Sequence, residues 1–164
     1  MTQSFKNIKG GQELFAMLQT LPVKLEKNIL RGAMRAGAKV IATEAKNNAP
    51  VKSGALLGSI KIGTKSKKGQ VIASVKVGNK KVWYSHFIEF GTAAHTITAK
   101  KGALSFGGFV GKSVEHTGIR AKPFMRPALD AKSNQAIQEA GNYIAKRLTK
   151  EGLNAPSIEV DDFE

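Results

Sequence analysis

The side chains with most chemical reach in this 164-residue chain are three histidines, His86, His95 and His116, and one carboxylate set among apolar residues, Glu89. His86 and Glu89 stand three apart in YSHFIEFGT, His95 follows closely, and His116 is isolated in a glycine-rich stretch. On a strand over Val82–Phe90, residues three apart project to opposite faces, so the pair would not converge on one ion. No HExxH helix supplies further ligands, and cysteine is absent, so no metal site is expected. The lack of cysteine also removes disulfides and thiol nucleophiles. Outside the C-terminal segment the carboxylates are Glu13, Glu26, Glu44, Glu89, Glu115, Asp130, Glu139 and Glu151. Several of these fall on helix surfaces that face water. Glu89, beside Phe87, Ile88 and Phe90, has surroundings that could make it a perturbed general acid. A paired structural charge is the favoured reading, with Arg120 or Arg126 as partner, because buried charge persists chiefly when paired. A hydrolase built on Glu89 therefore ranks last among the function classes. SFGGFVGKS contains Gly-Lys-Ser but lacks the GxxxxGK[ST] spacing and a following long helix, so no nucleotide and no cofactor is expected.

Charge points in another direction. There are 26 Lys and Arg against 12 Asp and Glu, a formal net charge of +14. Four of the acids, Glu159, Asp161, Asp162 and Glu164, sit in the last eight residues, which leaves +18 on residues 1–156. Such a field attracts polyanions, although a solubility device or an acidic protein partner accounts for charge alone equally well. Lys65, Lys67, Lys68, Lys80, Lys81, Lys100, Lys101, Lys112 and Arg120 are the candidates to face a partner or DNA. Little aromatic interleaving accompanies them, so contact with DNA would be weak and confined to the phosphate backbone. No run of eighteen apolar residues occurs, so no membrane partner is expected. The N-terminal MTQSFKNIKGG has no apolar signal-peptide core, which argues against export by the usual route.

The elements that must position these residues follow from periodicity. Leu14, Phe15, Leu18 and Leu21 mark a short helix over Gln12–Leu21, and Pro22 opens a longer one to about Asn47. Gly32 and Gly37, with Ala33, Ala36 and Ala38, give that helix a thin face suited to close approach by a sheet or another helix. Pro50 stops it. Ala55–Ile62, Val71–Gly78 and Val82–Phe90 read as strands of an antiparallel meander, the first two joined by a lysine-rich tip. Beyond Gly91, Ala93–Ala99 and Ala103–Val110 read as further strands within a glycine-rich flexible arm near 98–118. Pro127 opens a last helix to about Lys150, with Gly152 as its C-cap. The fold class is α+β: a long N-terminal helix, an antiparallel β-meander, and a C-terminal helix packed on the sheet. One domain is expected over 1–156, with an acidic flexible tail over 157–164.

Three stretches, taken in order, carry a resemblance. Ala49-Pro50 ends the long helix and leads through Lys52-Ser53-Gly54 and Leu56-Leu57 to Ser59-Ile60; Tyr84–Thr92 reads YSHFIEFGT; Ala121–Leu129 reads AKPFMRPAL. Together they resemble the tail-completion family of siphophages, the small head–tail joining or neck proteins, often called minor tail components, named after gene product ten of a lambdoid phage. The match spans roughly residues 18–150. It departs from the family at Gly58, where an arginine is frequent, which bears on the partner surface more than on the fold. The resemblance implies architectural roles for Pro50, Gly54, Leu57, Ile60, Glu89, Phe90, Gly91, Thr92, Pro123, Phe124, Met125, Arg126 and Pro127. Glu89–Thr92 would end a central strand, with Gly91 allowing a tight exit. Pro123 and Pro127 would bracket a stiff connector that holds Phe124 in the core, with Arg126 paired to Glu89 or to a neighbouring subunit. It further implies a non-enzymatic structural subunit of the phage head–tail junction. Such a subunit forms a ring, hexameric in the virion and monomeric when isolated, between the head connector and the tail tube or tail terminator. Its location would be the virion, and the host cytoplasm during assembly. The rival is a basic nucleic-acid-binding protein.

Overall fold

Glycine and alanine recur along one side of the long second helix, and that side is where the molecule packs most tightly. The computed structural model describes residues 8–67, 70–100, 102–153 and 159–160. It forms two compact units, Met1–Val77 with Phe124–Glu164, and Gly78–Pro123. The first unit holds α1 (Gly11–Gln19), α2 (Val23–Asn48), α3 (Ala55–Ser59), the strands β2 (Lys61–Lys67) and β3 (Gln70–Lys76), and α5 (Met125–Lys150). Two short strands, β1 (Ile8–Lys9) and β8 (Glu159–Val160), pair antiparallel in the same unit. Val160 and Glu159 belong to the expected acidic tail; residues 157–158 and 161–164 of that tail lie outside the described residues.

α2 runs antiparallel to α5. A Cβ at Gly37 would stand 2.6 Å from the Ala136 carbonyl oxygen, and one at Gly32 would overlap the Tyr143 ring. The thin face is thus used by a helix. Towards the start of α2, Leu14, Leu18, Ile29, Ala33, Ile144 and Leu148 form one buried cluster. Burial of this kind stabilises by about 1.5–3 kcal/mol for each large aliphatic side chain. α5 ends as expected at Gly152, whose φ is 78°. Leu153 N–H donates to Leu148 O at 3.0 Å and Gly152 N–H to Thr149 O at 3.1 Å, while Leu153 packs on the core. That is a Schellman ending, which satisfies carbonyls a helix otherwise leaves open. At the other end the helix begins at Met125, two residues before Pro127. Proline costs nothing in the first turn, whose N–H groups have no intrahelical acceptor.

β2 and β3 form an antiparallel hairpin in register Ile62↔Val75, Thr64↔Ala73 and Ser66↔Val71, and both strands pack against α2. The class is α+β, with antiparallel strand pairs between the two long helices. Two of the expected strands are helical over part of their length. Ala55–Ser59 is a helical turn, entered through Gly54 at φ 72°, and β2 starts at Lys61. Ala55, Leu56 and Leu57 are good helix formers, and Gly54 O accepts from Gly58 N–H at 3.0 Å.

The larger correction lies in the second unit. Val82–Phe90 is no strand: Ser85–Phe90 forms α4. Asn79 Oδ1 accepts from the N–H groups of Lys81 at 2.8 Å and Val82 at 3.0 Å, which turns the chain before the helix. Val82, Ser85 and Glu89 are buried and Trp83, His86 and Phe90 exposed. Those spacings of three and four are helical, and the many aromatic residues mask them. Gly91, at φ 72°, ends the helix instead of a strand.

The remainder of this unit is a two-stranded ribbon. Thr92 and Ile119 bridge; β4 (His95–Thr98) pairs with β7 (Ser113–His116); β5 (Leu104–Phe106) pairs with β6 (Phe109–Gly111). The strand expected over Ala103–Val110 is therefore broken. Gly107 and Gly108, at φ 52° and 83°, form the two-residue turn between its halves. Two positive φ values suit the twist of a tight hairpin, and Gly-Gly supplies them without steric cost. None of the helices is long and apolar enough to cross a membrane among the described residues.

Candidate assembly surfaces

Chemistry-bearing side chains do not converge. α4 places His86 and Glu89 one turn apart, where a strand would have separated them, yet His86 is exposed and Glu89 is 8% exposed. Among the described residues no group of three His, Cys, Asp or Glu side chains could hold a metal. His116 is not isolated. It stands opposite His95 in the β4–β7 register, with ring centroids 5.0 Å apart. Gly118 N–H donates to His116 Nδ1 at 3.0 Å, and His95 Nδ1 lies 3.0 Å from Ala93 O. Each ring thus ties down a bend in its own strand, and no third ligand joins them. Thr96 Oγ1 donates to Glu115 Oε1 across the same ribbon at 2.8 Å, a surface hydrogen bond.

The motif residues differ in burial. Ile60 and Phe124 are buried, Phe124 completely, and Leu57 and Pro50 are half-buried. Pro123 and Pro127 are exposed, and Met125 is half-buried. A Cβ at Gly91 would stand 2.6 Å from Ile119 O, so the chain turns there against its own ribbon. Thr92 N–H donates to Ile119 O at 2.9 Å, and Ile119 N–H donates to Thr92 Oγ1 at 3.0 Å. Arg126 Nε lies 4.0 Å from Asp130 Oδ2, one turn on, with both side chains mostly in water. Such a pair contributes at most about 0.5 kcal/mol.

The basic residues separate by unit. Lys65 and Lys67 are exposed on β2 of the first unit; Lys80, Lys81, Lys100, Lys112 and Arg120 are exposed in the second; Lys68 and Lys101 lie outside the described residues.

Two apolar features were not read from the sequence. In the second unit Trp83, in the turn before α4, is 63% exposed, and Phe90, the last residue of α4, is 80% exposed. Trp83 packs edge-on against Phe87 with centroids 5.7 Å apart, which orients its indole. Large aromatic side chains left in water in this way mark surfaces that a partner covers. The helical spacing Trp83, His86, Phe90 is the signal in the sequence, and the aromatic residues around it mask it. In the first unit Ile8, Leu14, Phe15, Leu30, Ile137 and Ile144 line an open apolar cleft of about 210 Å³. None of the described residues that line it carries a polar side chain of the kind that orients a small molecule.

Residues 12–91 match the model of the HK97-gp10-like family, described as "Bacteriophage HK97-gp10, putative tail-component". The matched span runs from α1 through α4 to Gly91, and so includes the Pro50–Ile60 and Tyr84–Gly91 stretches but not Ala121–Leu129. No curated protein and no solved structure matches the chain.

Proposed function

We propose that this chain, whose residues 12–91 match a family of bacteriophage tail components, is a structural subunit of the head–tail junction. It acts by assembly rather than catalysis, closing a ring between the head connector and the tail tube or tail terminator. The observation that carries the proposal is the pairing of that match with exposed Trp83, in the turn before α4, and exposed Phe90, at its end, both inside the matched span. A monomer leaves about 150–250 Å² of apolar surface uncovered at each such side chain. Assembly covers it.

The test uses Phe90→Ser, which alters a side chain already mostly in water. Its thermal midpoint should match the wild type within about 2 °C, as for most surface substitutions. Joining of heads to tails in an extract lacking the native protein should fall at least tenfold. Full joining by Phe90→Ser and by Trp83→Ala would remove α4 as an assembly surface. Deletion of the gene with normally joined, infectious particles would end the junction proposal as a whole.

A further inference from the structure

Residues 45–88 contain nine lysines and no acidic residue. The β2–β3 register decides where four of them go. Lys61, Lys65 and Lys67 lie two or four positions apart on β2 and so share a face, and Lys76 stands directly opposite Lys61. Gly63, Ser74, Ile72 and Gln70 complete that face, and the four lysines are all exposed. The opposite face, Ile62, Thr64, Ser66, Val71, Ala73 and Val75, is half-buried, on a hairpin that packs against α2. The lysines therefore cannot be redistributed without turning this apolar face to water. Like charges directly opposite across a strand pair are destabilising, and Lys61↔Lys76 is such a pair. An anion lying across the hairpin would relieve it.

We propose that this lysine face of the β2–β3 hairpin binds the phosphate backbone of duplex DNA without sequence preference. Strand geometry supplies a spacing argument. Residues two apart on a strand are separated by about 7 Å, since the rise is roughly 3.4 Å per residue. Phosphates along one DNA strand rise roughly 3.4 Å each along the axis but wind around it, so neighbours are about 7 Å apart; Lys65 and Lys67 match adjacent phosphates, and Lys61 and Lys65 match phosphates two apart. An acidic protein segment fits less well. The face has no cavity lined by it among those described, and Ile72 is its one large apolar side chain, so a peptide would gain no anchor beyond charge. Lysine point charges suit a backbone that must be held without a fixed register. The inference stands apart from the junction proposal, since a chain could join tails without touching DNA.

The experiment is fluorescence anisotropy of the full chain with a labelled duplex between 50 and 200 mM salt. Four phosphate contacts correspond to a slope of log K against log salt of about −3.6, or roughly a 10²-fold loss over that range. Replacing Lys61, Lys65, Lys67 and Lys76 together by Gln should make the slope shallower by about 3 to 4, and the same four as Arg should retain it. A control variant with Lys80, Lys81, Lys100 and Lys112 replaced by Gln carries the same change in net charge. Equal loss in the control would overturn the proposal in favour of bulk charge. So would displacement of the duplex by stoichiometric SIEVDDFE peptide, because an acidic segment would then be the ligand. Circular dichroism should show the Gln variant folded, with a midpoint at or slightly above wild type once Lys61 and Lys76 no longer repel.

Discussion

The two units of this chain are held together by different means. In the first, side chains carry the load: α2 and α5 meet through glycine and alanine, and Ile29 and Leu148 are fully buried. In the second, Val82, Ser85 and Glu89 are the buried side chains among the described residues, and a ladder of backbone hydrogen bonds from Thr92–Ile119 to Phe106–Phe109 provides most of the order. Isolated two-stranded ribbons are marginal in water, so such a unit gains from a partner. A stable unit joined to one that exposes aromatic and backbone surface suits a protein whose work is to be covered.

Substitutions sharpen this contrast. The largest effect is expected at Phe124, fully buried at the start of α5, where Phe124→Ala should cost about 3–5 kcal/mol in denaturant unfolding. Next is Gly37→Ala, which forces a methyl against the Ala136 backbone carbonyl and should cost about 1–3 kcal/mol. Gly32→Ala should cost less, because the obstacle is the Tyr143 ring, which can swing aside, and alanine returns up to about 1 kcal/mol of helix propensity. Equal losses at the two glycines would mean that the α2–α5 contact is looser than its geometry. The smallest global effect belongs to Gly118→Ala in the ribbon. At φ 86°, with a Cβ overlapping Thr92 O, alanine should break the bridge at a local cost of about 1–2 kcal/mol. Hydrogen exchange at the Thr92 and Ile119 amides should then accelerate while amides in α2 keep their protection. Uniform acceleration would show one cooperative unit instead of two.

Long helices were legible because periodicity accumulates over many turns: α2 and α5, each of 26 residues, fall close to where the apolar stripes place them. The thin Gly/Ala face and the Gly152 ending followed from residue type alone, and the burial of Phe124 from the resemblance. Short elements were not legible. Ser85–Phe90 has six residues, too few to separate period 3.6 from an aromatic-rich strand, and the Asn79 turn that sets it up depends on a side-chain hydrogen bond. The Gly107-Gly108 turn was readable from its two glycines between Phe106 and Phe109, a hairpin signal lost when Ala103–Val110 was taken as one strand.

Composition, charge and motif order determined the α+β class, the resemblance to a phage tail-component family and the absence of a recognisable catalytic motif, since these depend on which residues occur and how far apart. Register and contact decided the rest. Whether Lys61 and Lys76 oppose each other and whether His95 meets His116 are properties of strand pairing. A shift of one residue reverses every such assignment while leaving composition unchanged. Sequence could count the lysines; the hairpin register put four of them on one face.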